Sequence, residues 1–202
     1  MRKMTSGIAV FIITAFVGGG STQAAWLVNT YQGASGTINT ITDAETLINS
    51  APVLATASPT TINYNGTFPG NHSDYFAMKA TGYVDVVSGT TKTMQLYINS
   101  DDGFRLRLNG VTVAEFVGPT SGSNFTTNSI TLHDGDFLQL TYFEQAGVQT
   151  IVLEDTNGHF LGNSDSGIAI TQIATIPEPA TASLIGLGAA TAGAALWRRR
   201  RR

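Results

Sequence analysis

The chain has 202 residues, enough for one medium domain plus targeting segments, and a formal net charge of −3. It contains no cysteine, which excludes disulfides, thiolate metal sites and a cysteine nucleophile. Charged residues make up only 12% of the chain while Gly, Thr, Ser and Asn abound, a mixture suited to short strands joined by polar turns rather than to helices.

At the N-terminus, Arg2 and Lys3 precede the apolar run Ile8 to Val17, and small residues follow through Thr22-Gln23-Ala24. A basic start, a short apolar centre and a small-residue cleavage point predict a secretory signal peptide over residues 1–24, cut after Ala24. Residues 25–63 either join the folded sheet or form an added arm; within them one helix is predicted near Asp43 to Ile48, with Asp43 as its N-cap or in its first turn.

The middle of the chain is strand-like. Strands are predicted at Asp74 to Ala80 and at Gly82 to Val87. Met94 to Asn99 alternates apolar and polar residues, and Phe104-Arg105-Leu106-Arg107-Leu108 alternates with both Arg side chains outward. Asn109-Gly110 is a type I′ hairpin signal, and Val111 to Phe116 returns as the partner strand. Further strands are expected at Asn128 to Leu132, Phe137 to Phe143, Thr150 to Glu154 and Ile168 to Ile173. Gly33 to Asn39 and Pro119 to Asn128 read as Ser, Thr and Gly-rich loops. Many short strands with turn signals between them predict an all-β, antiparallel β-sandwich over residues 25–175.

The last stretch, residues 176–202, has its own logic. Pro177-Glu178-Pro179 is expected to stay extended, because proline resists helix. Ala180 to Trp197 carries no charge and as a helix would rise about 27 Å, close to the roughly 30 Å of a hydrocarbon core. Trp197 would sit at the interface, and Arg198, Arg199, Arg200, Arg201 and Arg202 would stay cytoplasmic. This end therefore predicts a transmembrane anchor. Between the two ends, four basic residues stand against thirteen acidic ones, a net charge of −9. So acidic a domain argues against nucleic acid and anionic lipid, and is compatible with divalent cations.

Pro-Glu-Pro, an apolar span and an Arg cluster, in that order, resemble the PEP-CTERM sorting signal. The resemblance implies an exosortase, a membrane transpeptidase, as processing partner. It also implies an inner-membrane-anchored precursor, and delivery to the envelope or extracellular matrix of a polysaccharide-producing Gram-negative bacterium. A second resemblance rests on Tyr97-Ile98-Asn99-Ser100-Asp101-Asp102-Gly103-Phe104 through Asn109-Gly110, with Leu140-Thr141-Tyr142-Phe143-Glu144 and Ile151-Val152-Leu153 downstream. This pattern is similar to the hallmark of PA14-like domains, β-sandwiches found in toxins, glycosidases and adhesins, and covers about Tyr64 to Ile173.

In lectin members of that family an Asp-Asp pair, often joined by a cis peptide, binds Ca²⁺, which grips vicinal sugar hydroxyls. Carried over by position, the pair is Asp101 and Asp102. Two adjacent carboxylates on a tight turn supply several of the six to eight oxygens Ca²⁺ takes. A second loop would complete the site, and the candidate is Asp155 to Asp165, with Asn157, Asn163 and Asp165 as oxygen donors. The alternative is that the Asp-Asp-Gly turn is scaffold, its carboxylates bonding turn amides.

Other chemistry is weakly signalled. His72, His133 and His159 lack metal spacing, and no nucleophile elbow or phosphate loop is present. Glu144 and Glu154 could be imagined as a glycosidase pair, but Glu144 ends a strand, which favours a structural role. Tyr31, Tyr64, Phe68, Tyr75, Phe125 and Phe160 read as core and loop anchors rather than sugar-stacking platforms. The expectation is a non-enzymatic, exported module binding extracellular polysaccharide through Ca²⁺. The alternative is a structural or adhesive matrix protein with neither sugar nor metal site.

Overall fold

A computed structural model describes residues 25–72 and 74–173. The predicted signal peptide, the Pro-Glu-Pro motif, the apolar span and the Arg cluster lie outside the described residues. No described helix is long and apolar enough to cross a membrane.

The elements run β1 (Leu27–Gln32), α1 (Ile41–Ser50), β2 (Ala55–Ala57), β3 (Asn63–Asn65), β4 (Phe76–Val86), β5 (Thr91–Met94), β6 (Leu96–Asp101), β7 (Phe104–Leu108), β8 (Val111–Phe116), β9 (Ser123–Thr126), β10 (Ile130–His133), β11 (Phe137–Glu144), β12 (Thr150–Asp155) and β13 (Ile168–Thr171). One sheet has the order β2-β1-β4-β11-β7-β8, with β13 pairing the far half of β4. The facing sheet is β3-β12-β6-β9, and β5 and β10 form a separate ribbon. All pairings are antiparallel, so the fold is the β-sandwich expected from the sequence.

Alternation builds the core. Along β4, Phe76, Met78, Ala80, Val84 and Val86 are buried toward the second sheet. They meet Leu138, Leu140 and Tyr142 of β11, Phe104 and Leu106 of β7, and Ile98, Ile151 and Leu153 from the opposite layer. Residues of the other parity face outward. There Ala77 and Phe143 form a small second cluster with Ile38, Ile41 and Ala44, which seats α1 on the back of the larger sheet.

The helix begins where its cap dictates. The Thr40 hydroxyl accepts from the Asp43 N–H (3.2 Å), and the Asp43 carboxylate accepts in return from the Thr40 hydroxyl (2.9 Å) and the Asn39 N–H (3.1 Å). Asp43 is therefore in the first turn, and the helix is longer than expected. In the hairpin β7–β8, Asn109 and Gly110 take φ of 51° and 82°, both positive as a type I′ turn requires.

Three readings change, and one left open is settled. The strands predicted on either side of Gly82 are one continuous β4. The alternating Met94 to Asn99 run is divided between β5 and β6 at Gln95. Residues 25–63 are no arm, because β1 pairs with β4 from Leu27↔Thr81 to Gln32↔Phe76 and β3 extends the second sheet. The stretch read as a Pro119 to Asn128 loop contains β9, paired on β6 from Ser100↔Ser123 to Tyr97↔Thr126.

Candidate binding cleft

The turn Asp101-Asp102-Gly103 carries the chain from β6 in one sheet to β7 in the other. Crossing between layers leaves little room. A Cβ on Gly103 would run into the Phe143 ring and lie 2.8 Å from the Phe116 carbonyl oxygen. Asp102 takes φ of 67°, a left-handed conformation that Asp adopts more readily than most residues. The Asp101–Asp102 peptide is trans.

Asp102 is a joint. It is 3% exposed, and its carboxylate accepts from the Thr120 N–H (3.0 Å) through Oδ1 and from the Gln145 N–H through Oδ2. Its own N–H donates to the Thr120 carbonyl (3.0 Å), while its carbonyl accepts from the Ser100 hydroxyl (2.7 Å). One side chain thus ties the 118–122 loop to the 145–148 loop. These two loops and the Asp pair line an open cleft of roughly 520 Å³, with Ser121, Gly147 and the 65%-exposed Val148 on its walls. Asp101 is more exposed than Asp102. Burial, then the neighbouring Asp102 charge, push its carboxyl above the usual range, and the N–H groups of Gly122 and Asp102 offset only part of that.

Carboxyl groups gather under the cleft. The Glu144 side chain is fully buried inside the sandwich, where Oε2 accepts from the Tyr142 hydroxyl (2.7 Å) and Oε1 has no hydrogen-bond partner among the described residues. Burial raises its pKa to about 8; the Tyr142 bond opposes that rise, and the charges of Asp102, Asp101 and Asp74 add to it. Burial, with Glu144 next, holds the Tyr142 hydroxyl far above the usual range as well. The Asp74 carboxylate accepts from the Gly147 N–H (3.2 Å) at the cleft wall. Among the described residues no basic side chain is ion-paired to Asp74, Asp101, Asp102 or Glu144.

The second loop expected from the sequence lies elsewhere. Strand β12 pairs with β6 from Thr150↔Asp101 to Asp155↔Leu96, so Asp155 and everything after it starts at the opposite end of the sheet. Five residues of strand separate the two ends, about 17 Å at about 3.4 Å per residue. Asn157, Asn163 and Asp165, all exposed, are not brought to Asp101 and Asp102. That loop satisfies itself. Burial pushes the Asp155 carboxyl up, but bonds from the N–H groups of His159 (2.9 Å) and Asn157 (2.8 Å) more than offset it, leaving it below the usual range. The loops that stand beside Asp101 and Asp102 are 118–122 and 145–148. The Ser, Thr and Gly-rich composition of Pro119 to Asn128 was the sequence signal for the first of them.

The remaining candidates are structural. Glu144 and Glu154 are not a pair: Glu154 sits opposite Tyr97, toward the far end of β6 from Asp101. His72 is buried, stacked on Phe76 and hydrogen-bonded to Gln32 (2.7 Å) and Thr30 (3.0 Å). His133 and His159 bond Asp136 and Asp155. Tyr64 stacks on Phe68, Phe68 on Tyr142, and Phe125 packs against Phe104 and Phe116, so these rings belong to the core.

Comparison with known proteins agrees with this architecture. The fold is that of PA14 domains. The PA14 domain of the MpAFP antifreeze protein superposes with a TM-score of 0.61 at 19% identity, covering 89% of this chain and 100% of that one. The PA14 sugar-binding domain from an RTX adhesin gives 0.56 at 24% identity, covering 68% and 93%. The A domain of epithelial adhesin 9 from Candida glabrata, solved in complex with Galβ1-3GlcNAc, gives 0.50 at 10% identity, covering 77% and 93%. No curated protein matches the chain. Residues 175–201 match the model of the PEP-CTERM protein-sorting motif, so the chain carries the sorting signal its tail resembled.

Proposed function

We propose that this chain is an exported, non-enzymatic carbohydrate-binding module that grips extracellular polysaccharide in the Asp101–Asp102 cleft through a bound Ca²⁺. The observation that carries the reading is the turn itself. Two adjacent carboxylates at the junction of the sheets line an open cleft, above a buried Glu144 and beside Asp74, with no paired base among the described residues. Crowded carboxylates without a counter-charge favour a cation.

The donor set fits calcium better than a metal that needs a closed protein cage. No three Asp, Glu or His side chains converge tightly enough among the described residues to hold an ion alone. Asp101 and Asp102 would supply the protein carboxylates, each oxygen keeping a lone pair beyond the amide bond it accepts. Carbonyls of the 145–148 loop, water and sugar hydroxyls would supply the rest. When bound, the ion would exchange water for vicinal hydroxyls, and Val148 would offer an apolar edge to a sugar face. The sugar-binding description of the RTX adhesin domain and the disaccharide in the epithelial adhesin point the same way. The sorting signal supports processing by an exosortase and release to the envelope or extracellular matrix.

A second reading rests on Asp102, whose carboxylate is already engaged by two backbone amides. On that basis the turn is scaffold and the protein a structural or adhesive matrix component. Binding of the full-length chain, in non-ionic detergent, to a panel of immobilised polysaccharides separates the two. The carbohydrate reading expects glycan retention that disappears in EGTA and falls at least about tenfold in Asp101→Asn. Retention indifferent to EGTA removes the ion from the account, and no retention on any glycan leaves the scaffold reading.

A further inference from the structure

The described domain has four basic residues, and three of them, Lys79, Arg105 and Arg107, gather on the outer face of the larger sheet beside α1. Register puts them there. Lys79, Thr141 and Arg105 lie directly opposite one another across β4, β11 and β7, and Thr81, Gln139 and Arg107 form the next same-face row. A pocket of roughly 310 Å³ opens over these rows, lined by Glu45, Asn49, Lys79, Arg107, Gln139 and Thr141.

Its charges are unevenly matched. Arg105 donates to one Glu45 oxygen (2.7 Å) and Arg107 to the other, so that carboxylate is spent tying α1 to the sheet. Glu115 takes a second bond from Arg105 (2.7 Å). Among the described residues no carboxylate pairs with Lys79. Between Lys79 and Arg105 in the row sits Thr141, 1% exposed, whose buried hydroxyl has no hydrogen-bond partner among the described residues. A buried hydroxyl without a partner costs free energy unless something supplies one.

We propose that this pocket is a second binding site, distinct from the Asp101–Asp102 cleft, and that it takes the carboxylate of an acidic sugar unit. Lys79 provides the free positive charge. Arg107 keeps N–H donors beyond the one on Glu45. The Thr141 hydroxyl donates to the bound carboxylate, and the Asn49 and Gln139 amides meet flanking hydroxyls. A pocket of about this volume suits one sugar ring rather than a bare ion. The site gives a strongly acidic domain one place to hold a polyanion, on a face that the calcium reading leaves unused. The two stand or fall separately.

The test is an NMR chemical-shift titration of the full-length chain in non-ionic detergent, with EGTA present so that no calcium site contributes. Glucuronate, glucose and inorganic sulfate are the probes. The proposal expects saturable shifts at Lys79 and Thr141 with glucuronate, weaker ones with sulfate and none with glucose. Lys79→Met should weaken glucuronate at least about tenfold. Thr141→Val keeps the shape and removes the orphan hydroxyl. It should leave the unliganded melting temperature unchanged or higher while weakening glucuronate several-fold, a split that a purely structural threonine would not produce. Glucose matching glucuronate, sulfate matching glucuronate, or titration curves unchanged by both substitutions would each overturn the proposal.

Discussion

Gly103→Ala is expected to cost on the order of 3–4 kcal/mol of folding stability, and to lower the melting temperature by about 10 °C. Nothing about the backbone angle at this position demands glycine; the space does. The added Cβ would be forced into the Phe143 ring on one side and sit 2.8 Å from the Phe116 oxygen and 3.0 Å from the Gly118 oxygen on the other. A flexible side chain could yield, but two backbone carbonyls cannot without moving the 116–118 segment, and α1 hangs from that segment by the Ile41 N–H to Val117 carbonyl bond (2.8 Å). Gly110→Ala is the contrast. Its φ is 82° and its Cβ would meet nothing within 4 Å, so strain alone costs about 1 kcal/mol. Denaturant titration of both variants checks the order. A Gly103→Ala penalty below that of Gly110→Ala would mean the sheets do not pass so closely at the turn.

The second large effect is a pH dependence centred on Glu144. Its folded pKa is raised to about 8, against about 4.3 for an unfolded glutamate. Between those values the native state holds a proton that the unfolded chain has released, so stability falls as pH rises through this window. The contribution is fully present below about pH 4 and gone above about pH 8. Glu144→Gln has no proton to release there. The stability of wild type relative to Glu144→Gln should therefore fall by on the order of 3 kcal/mol between pH 5 and 8. Parallel pH profiles for the two proteins would mean Glu144 ionises as an ordinary carboxylate.

Much of the fold was legible because local and global signals agree. The β7–β8 hairpin needed only the alternation of Phe104, Leu106 and Leu108 and the Asn109-Gly110 turn. Ser100-Asp101-Asp102-Gly103 was legible as a tight turn, and the structure adds why each residue is there: a hydroxyl for the Asp102 carbonyl, a carboxylate for two loops, and a glycine where two sheets close. What stayed hidden depends on register. β9 is a short strand, Ser123–Thr126, with one apolar residue in a Ser, Thr and Gly-rich stretch, held by pairing with β6 and by Phe125 packed on Phe104 and Phe116. Asn157, Asn163 and Asp165 carry the oxygen donors that suggest a second wall for the site. Only the antiparallel pairing of β12 with β6 reveals that those donors leave from the wrong end. The outward Arg105 and Arg107 were visible, but nothing local said that Lys79, far earlier in the chain, would stand beside them across β11.

Whether Asp101 and Asp102 hold a calcium ion is decided by thermal unfolding of the full-length chain with and without Ca²⁺. Asp101→Asn is the comparison variant, because it removes a cleft-facing charge without disturbing the amide bonds Asp102 makes. A ligand that binds only the folded state raises the midpoint by mass action. Ca²⁺ is expected to raise the midpoint of wild type and to leave that of Asp101→Asn unchanged. An unchanged wild-type midpoint, or an equal rise in both proteins, would contradict it and return the Asp-Asp turn to the role of scaffold.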